Sequence, residues 1–144
     1  LKVLGIDGKE KMGKSLNNHI ELAATPEETR QRVMMMVTDT QRIKRTDPGN
    51  PDVCNVFTLH KVFTPKEDVE MINVECRRAG IGCVDCKKTF AESLNKTLEP
   101  FRSRRAEIAA QPDLVPTVLA QGAARARVIA EKTMQEVRAA VHLP

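Results

Sequence analysis

Four cysteines, with no fifth, stand in the order Cys54-x21-Cys76-x6-Cys83-x2-Cys86. No other feature constrains the fold as much, because thiols so far apart in sequence act together only if the chain reverses on itself. Ala79-Gly80-Ile81-Gly82 leads directly into the Cys83-x2-Cys86 pair, and its glycines permit the tight turn a metal knuckle needs. Four sulfurs is the ligand count of a tetrahedral all-cysteine zinc site or of a four-iron, four-sulfur cluster. Free cysteines also serve as small core fillers. Disulfides rank lower: no signal peptide or hydrophobic span is visible, so a cytoplasmic, reducing compartment is expected, where such a set reads as metal-binding or redox-active.

The rest of the composition narrows the fold class. At 144 residues the chain is long enough to bury a core, yet aromatics make up only 3% and Trp and Tyr are absent. Ala, Leu, Met, Glu, Lys and Arg dominate and no long stretch alternates with period two. The expected fold is therefore all-α, an antiparallel bundle of about five helices preceded by a short non-helical loop segment. Charge is uneven. Residues 76–105 hold eight Lys or Arg against three Asp or Glu, whereas residues 51–75 hold two against five. A basic face of this kind suits an anionic partner, nucleic acid first among them, although a solvated helix face has the same composition.

Element boundaries follow from local chemistry. Leu1 to Leu4 reads as the end of a strand entering the Gly5-Ile6-Asp7-Gly8 turn, and Lys11-Met12-Gly13-Lys14-Ser15 as a mobile loop. Thr25-Pro26-Glu27-Glu28 caps and opens a helix expected to run to about Val37, with Met34, Met35 and Met36 on it. Asp47-Pro48-Gly49-Asn50 is a turn. Pro51 opens a helix through about Phe63 carrying Cys54, and Pro65-Lys66-Glu67-Asp68 opens another that ends near Ala79 and carries Cys76. His60 competes as a ligand, but four cysteines already satisfy the count. After Val84 a long helix shows Phe90, Leu94, Thr97 or Leu98, Phe101 and Ile108 on one stripe, bent at Pro100. A last helix from Pro112-Asp113, with Val115, Val118, Ile129 and Val137 on one side, is expected to pair with it.

Lys11-Met12-Gly13-Lys14-Ser15-Leu16-Asn17-Asn18 resembles the KMSKS signature loop of class I aminoacyl-tRNA synthetases, with Gly13 where the signature has serine. Two ammonium groups on a loop can reach a polyphosphate and neutralise charge that develops during nucleotidyl transfer. Arg45-Thr46-Asp47-Pro48-Gly49-Asn50-Pro51, Val53-Cys54-Asn55 and Ala79 to Lys87 are similar to segments of bacterial tryptophanyl-tRNA synthetases. The Gly-Cys-x-x-Cys-Lys segment sets this family apart from the tyrosyl enzymes.

The resemblance implies a C-terminal portion without the nucleotide-binding fold, HIGH motif and amino-acid pocket that precede the lysine loop in the family. Residues 1–24 would be the remnant of the catalytic domain and residues 25–144 the helical anticodon-binding domain. In the parent enzyme, expected to be a homodimer by family likeness, Lys11 and Lys14 would act on the triphosphate of ATP, held by Lys11, Met12, Gly13, Lys14 and Ser15. The parent joins tryptophan to tRNA(Trp); the portion itself is expected to be a monomer, inactive alone. Arg77, Arg78, Lys87, Lys88, Arg102, Arg104 and Arg105 would supply phosphate contacts to tRNA. Some bacterial members carry a four-iron, four-sulfur cluster at a similar cysteine set, which maps onto Cys54, Cys76, Cys83 and Cys86. A function of a different class, a stand-alone metal or iron-sulfur protein for redox or sensing, would leave the lysine loop unexplained.

Overall fold

The computed structural model describes residues 3–143. Among them it has five α-helices and no strand: α1 (Pro26–Met34), α2 (Asn55–Phe63), α3 (Lys66–Arg77), α4 (Cys83–Ala109) and α5 (Leu114–Ala140). This is the all-α class expected from composition. Of the proposed initial strand, Leu1 and Lys2 lie outside the described residues, and Leu4 makes an isolated antiparallel bridge to Lys11. The chain divides into two compact units, Leu1–Arg102 and Ser103–Pro144.

Helix α1 starts as its sequence dictates. The Thr25 hydroxyl accepts the Glu28 amide at 3.2 Å and the Glu28 carboxylate accepts the Thr25 amide at 2.7 Å, a reciprocal capping box with Pro26 at the first helical position. The helix ends at Met34, three residues short of the expected Val37. The cause is tertiary: Met36 is buried in the core, and the Val37 amide leaves the helix to donate to the Ile6 carbonyl at 2.9 Å. Pro51 opens only a 3-10 turn, Pro51–Val53, because Cys54 adopts an extended conformation and becomes the residue before α2.

The core of the first unit gathers one face from each of its helices. Val33 and Met36 meet Val56, Phe57 and Leu59 of α2, Ile72 of α3, and Phe90, Ala91, Leu94 and Leu98 of α4. Of the stripe read from the sequence, Phe90 and Leu94 are buried, the choice between Thr97 and Leu98 falls to Leu98, and burial stops there: Phe101 is exposed. Burying a side chain such as Phe90 completely is worth about 1.5–3 kcal/mol. His60, also in this core, packs edge-on against Phe90 with ring centroids 5.1 Å apart.

In the second unit, α5 buries none of its side chains. Val115, Val118, Ile129 and Val137, the stripe expected to pair, are all exposed. Pro100 lies inside α4, which continues past it to Ala109.

Helix α1 offers a direct check. Thr25→Ala should cost about 1 kcal/mol, measured by urea denaturation. The Glu28 carboxyl is held below its ordinary value by the Thr25 amide, and that of Glu27 is held down to about 2, chiefly by Arg30. Groups with depressed folded pKa values contribute stability above their unfolded values near 4.5, and lose it as pH falls towards the folded values. Thr25→Ala keeps the amide but removes the hydroxyl that also donates to the Glu28 carboxylate at 2.8 Å, so its cost should shrink as pH falls below about 4.5 and Glu28 takes up its proton.

Candidate functional site

The lysine loop is held at its base and open at its tip. Gly5 to Gly8 forms a tight turn, with the Gly8 amide on the Gly5 carbonyl at 2.9 Å and a positive φ of 67° at Gly8. That conformation favours glycine. The Gly5 amide then donates to the Glu10 carbonyl and the Met12 amide to the Val3 carbonyl, both at 2.9 Å, so the chain doubles back before the two lysines. Lys14–Leu16 is a 3-10 turn, and Lys11, Lys14 and Ser15 are exposed.

Asn18 is the buried centre of this loop, at 3% exposure. Its Oδ1 accepts the Gly13 amide at 2.8 Å, while its Nδ2 donates to Asp7 Oδ2 at 3.0 Å and more weakly to the Lys11 carbonyl at 3.4 Å. Its own carbonyl accepts the Ile6 amide at 2.8 Å. Gly5 makes room, since a Cβ there would overlap the Asn18 amide group. The Asp7 carboxyl is held below its ordinary value by the Lys9 amide first and the Asn18 amide second. Gly13, where the signature has serine, is extended at φ −161°, and a Cβ would meet nothing closer than the Lys11 carbonyl at 3.8 Å. A serine fits there without strain.

The base of the loop is fastened to the helices. Asn55 Nδ2 donates to the Gly5 carbonyl at 2.8 Å, the Val37 amide reaches Ile6, and Arg32 of α1 donates to the Asn17 side chain.

The four cysteines occupy the junction of α2, α3 and α4. Cys54 precedes α2, Cys76 is in the last turn of α3, and Cys83 and Cys86 lie in the first turn of α4. They are near enough to act on one another: each of Cys54, Cys76 and Cys86 is made harder to ionise by neighbouring thiols. Burial is the larger cause in all three and pushes Cys86 up to about 12. All four are free thiols. Among the described residues, no three His, Cys, Asp or Glu side chains are gathered closely enough to hold a metal ion.

Residues that the sequence reading did not assign to the site complete this junction. Arg42 donates from Nη1 to Cys83 Sγ at 3.8 Å and from Nη2 to the Arg45 carbonyl at 2.7 Å, and its buried Nε has no partner. Its charge opposes the upward shifts of Cys76 and Cys86. Arg45 grips the glycine turn, donating to the carbonyls of Ala79 at 2.9 Å and Gly80 at 3.1 Å. Gly49 donates its amide to the Cys76 carbonyl at 2.9 Å, and a Cβ there would stand 2.6 Å from Cys76 Sγ.

His60 ties the junction to the core. Its Nε2 lies 3.2 Å from the Cys86 carbonyl, which only accepts, so the proton is on Nε2 and Nδ1 accepts from the Thr64 hydroxyl at 2.9 Å. Burial lowers its pKa, which keeps the ring neutral. The Cys86 sulfur is 3.5 Å from the same nitrogen.

The basic residues differ in how far they are engaged. Lys87 Nζ donates to the Met34 carbonyl at 2.9 Å, and Arg102 donates to Asn95 at 2.8 Å and Thr29 at 2.7 Å, so both are turned into the first unit. Arg77 pairs with Asp52 at 2.7 Å, Lys88 with Asp85 at 3.5 Å, and Arg78 with Glu75. These three are exposed, and surface pairs of this kind are weak enough to exchange for a phosphate. In the second unit Arg104 pairs with Glu107 at 2.7 Å, and Arg105 is exposed. Lys44 and Arg45 add charge beside a hollow of about 340 Å³ bordered by Arg42, Gly82 and Cys83.

An ordered lysine loop set against a helical unit is the architecture of a class I aminoacyl-tRNA synthetase around and beyond its signature loop. The family model for "tRNA synthetases class I (W and Y)" matches residues 3–99, and the chain belongs to that family. It is 42% identical to the tryptophan–tRNA ligase of Aquifex aeolicus over 99% of this chain and 36% of that protein. It is 43% identical to that of Deinococcus radiodurans over 96% of this chain and 42% of the relative. The tryptophanyl-tRNA synthetase of Campylobacter jejuni, solved with ADP and tryptophan, superposes with a TM-score of 0.86 at 26% identity, covering 99% of this chain and 44% of that one. The chain thus spans well under half the length of these relatives.

Two glycines separate space from conformation as a requirement. Gly49→Ala should destabilise the chain by about 1–3 kcal/mol, the usual cost of overpacking, because Cys76 and Arg42 must both move. Gly13→Ser should leave the melting temperature unchanged, and calorimetry of the two variants side by side checks both expectations.

Proposed function

We propose that this chain works as the C-terminal part of a tryptophan–tRNA ligase, with residues 1–24 completing the ATP site and residues 25–144 forming the helical tRNA-binding domain. The observation that carries the reading is the loop itself: its base is pinned by Asn18, Asn55 and Arg32, and its tip presents Lys11 and Lys14 to solvent. A cationic tip on a fixed base suits a triphosphate whose charge rises in the transition state. Lys11 and Lys14 neutralise that charge, while Met12, Gly13 and Ser15 shape the loop around the phosphates. Tryptophan activation by ATP and its transfer to tRNA(Trp) are the reactions served, in the cytoplasm. The parent enzyme acts as a homodimer. These 144 residues by themselves are a monomer and do not exchange pyrophosphate into ATP, because two loop lysines alone do not hold the nucleotide.

Arg77, Arg78 and Lys88 bind phosphates from the first unit, and Arg104 and Arg105 from the second. Lys87 and Arg102, although basic, hold the fold. Binding of the chain to tRNA should weaken with salt. In the Arg77→Ala, Arg78→Ala, Lys88→Ala variant the log–log slope should fall by roughly 0.7–0.9 for every phosphate that no longer meets a cation. Lys87→Ala should instead lower the melting temperature, because the Met34 carbonyl loses its donor.

Cys54, Cys76, Cys83 and Cys86 would hold a thiolate-ligated centre, a four-iron, four-sulfur cluster or zinc, by closing in from the wider spacing they have here. The donor chemistry fits in kind, and the unpartnered Arg42 Nε is a cationic donor buried beside these sulfurs. Such a centre supplies a rigid cross-link, fastening the ends of α2 and α3 to the start of α4. Anaerobic purification followed by iron, sulfide and zinc analysis should give stoichiometric metal. Cys83→Ser with Cys86→Ser should remove that metal and lower the melting temperature.

A further inference from the structure

We infer that Asn18 is the positioning residue of the lysine loop, setting where Lys11 and Lys14 stand relative to the nucleotide phosphates; this rests on the ligase reading above. Among the described residues, neither lysine side chain has a hydrogen bond or ion pair that would fix it, so their placement depends on the backbone that carries them. That backbone is organised by one amide group. Asn18 Oδ1 takes the Gly13 amide, between the two lysines in sequence, at 2.8 Å. Its Nδ2 donates to Asp7 Oδ2 on the opposite arm at 3.0 Å and to the Lys11 carbonyl at 3.4 Å. A single planar group therefore spans the loop from its entry to its tip, donating on one side and accepting on the other.

Three features show that the position is built for this group. Asn18 is 3% exposed, so its partners are not interchangeable with water. Gly5 leaves out the Cβ that would occupy the amide's place. Asp7 presents one carboxylate oxygen to Asn18 while the other accepts the Lys9 amide at 3.0 Å, so the turn before the lysines and the loop that carries them are joined through Asn18. The anchor reaches the helices too, since the Ile6 amide donates to the Asn18 carbonyl and the Ile6 carbonyl accepts from Val37. Misplacing a charged group by an ångström, even through a change away from the reacting atoms, can cost about a hundredfold in rate.

The donor and acceptor roles also define a charge-swap test. Asn18→Asp keeps the acceptor for Gly13 but faces one carboxylate with another, Asp7. Adding Asp7→Asn restores a donor–acceptor pair with its polarity reversed, because the new amide donates to the new carboxylate and its oxygen still accepts from Lys9. Size is unchanged throughout, so a purely steric role does not respond to the swap.

The experiment measures tryptophan-dependent pyrophosphate exchange by the full-length enzyme containing this chain, alongside the rate of tryptic cleavage after Lys11 and Lys14. Asn18→Ala and Asn18→Asp should lower kcat by about ten- to a hundredfold with KM for tryptophan unchanged, and should speed cleavage at both lysines. The Asp7→Asn, Asn18→Asp double variant should recover most of the kcat and slow the cleavage again. Exchange in Asn18→Ala within roughly twofold of the parent, or a swap no better than Asn18→Asp alone, overturns the role of Asn18. Absence of tryptophan-dependent exchange in the parent itself overturns the ligase reading, and the role of Asn18 with it.

Discussion

One neutral imidazole joins the two parts of the first unit that matter most. His60 is fully buried, packs on Phe90 of α4 and donates from Nε2 to the carbonyl of Cys86, one turn earlier on the same helix. A charged imidazolium in that core would be expensive, and burial keeps the ring neutral. The start of α4 is thereby fixed against α2, and with it the two cysteines of the glycine turn. The other cysteines are brought in by neighbouring elements: Gly49 lets the chain pass against Cys76, and Arg45 holds the carbonyls of Ala79 and Gly80. The junction is therefore a consequence of core packing and backbone hydrogen bonds, present before any ligand is considered.

The lysine loop depends on the same core from its other side. Asn55, the first residue of α2, reaches the Gly5 carbonyl, and Val37, just beyond α1, reaches Ile6. Thus α2 supports the loop at its N-terminal end and the cysteine junction through His60 further along. A disturbance of this one short helix would be felt at both. The relation explains how a segment exposing two flexible cations can still be ordered at its base, which is what electrostatic stabilisation of a transition state asks of a protein.

Much of this was legible in the sequence, where a local signal sufficed. Thr25-Pro26-Glu27-Glu28 marks a helix start by its own chemistry, and the spacing of Phe90, Leu94 and Leu98 marks a buried face. The loop was legible from its two lysines; the number and spacing of the cysteines predicted a single metal-holding cluster, and among the described residues no three of them are close enough to form one. What escaped were contacts between residues remote in sequence. Nothing near Arg42 indicates that its guanidinium turns to Cys83, forty-one positions away, nor does anything near His60 indicate Cys86. Helix α1 stops early because Met36 and Val37 are claimed by the core and by Ile6. Lys87 and Arg102 count as surface charge by composition, yet their donors point inward. The apolar residues of α5 follow a helical period without being buried, and periodicity alone does not distinguish a covered stripe from an open one.

Amide hydrogen exchange at single-residue resolution tests most directly whether the loop base and the core form one cooperative piece. Exchange of the Ile6, Met12, Gly13 and Val37 amides should be slowed to the level of the amides of α2, because opening the loop base requires breaking its bonds to Asn18, Asn55 and the end of α1. The result that would contradict this is exchange of Gly13 and Met12 at the rate of an unstructured chain while α2 stays protected. The lysine loop would then be a tether on the helical unit, with no fixed base from which to present Lys11 and Lys14.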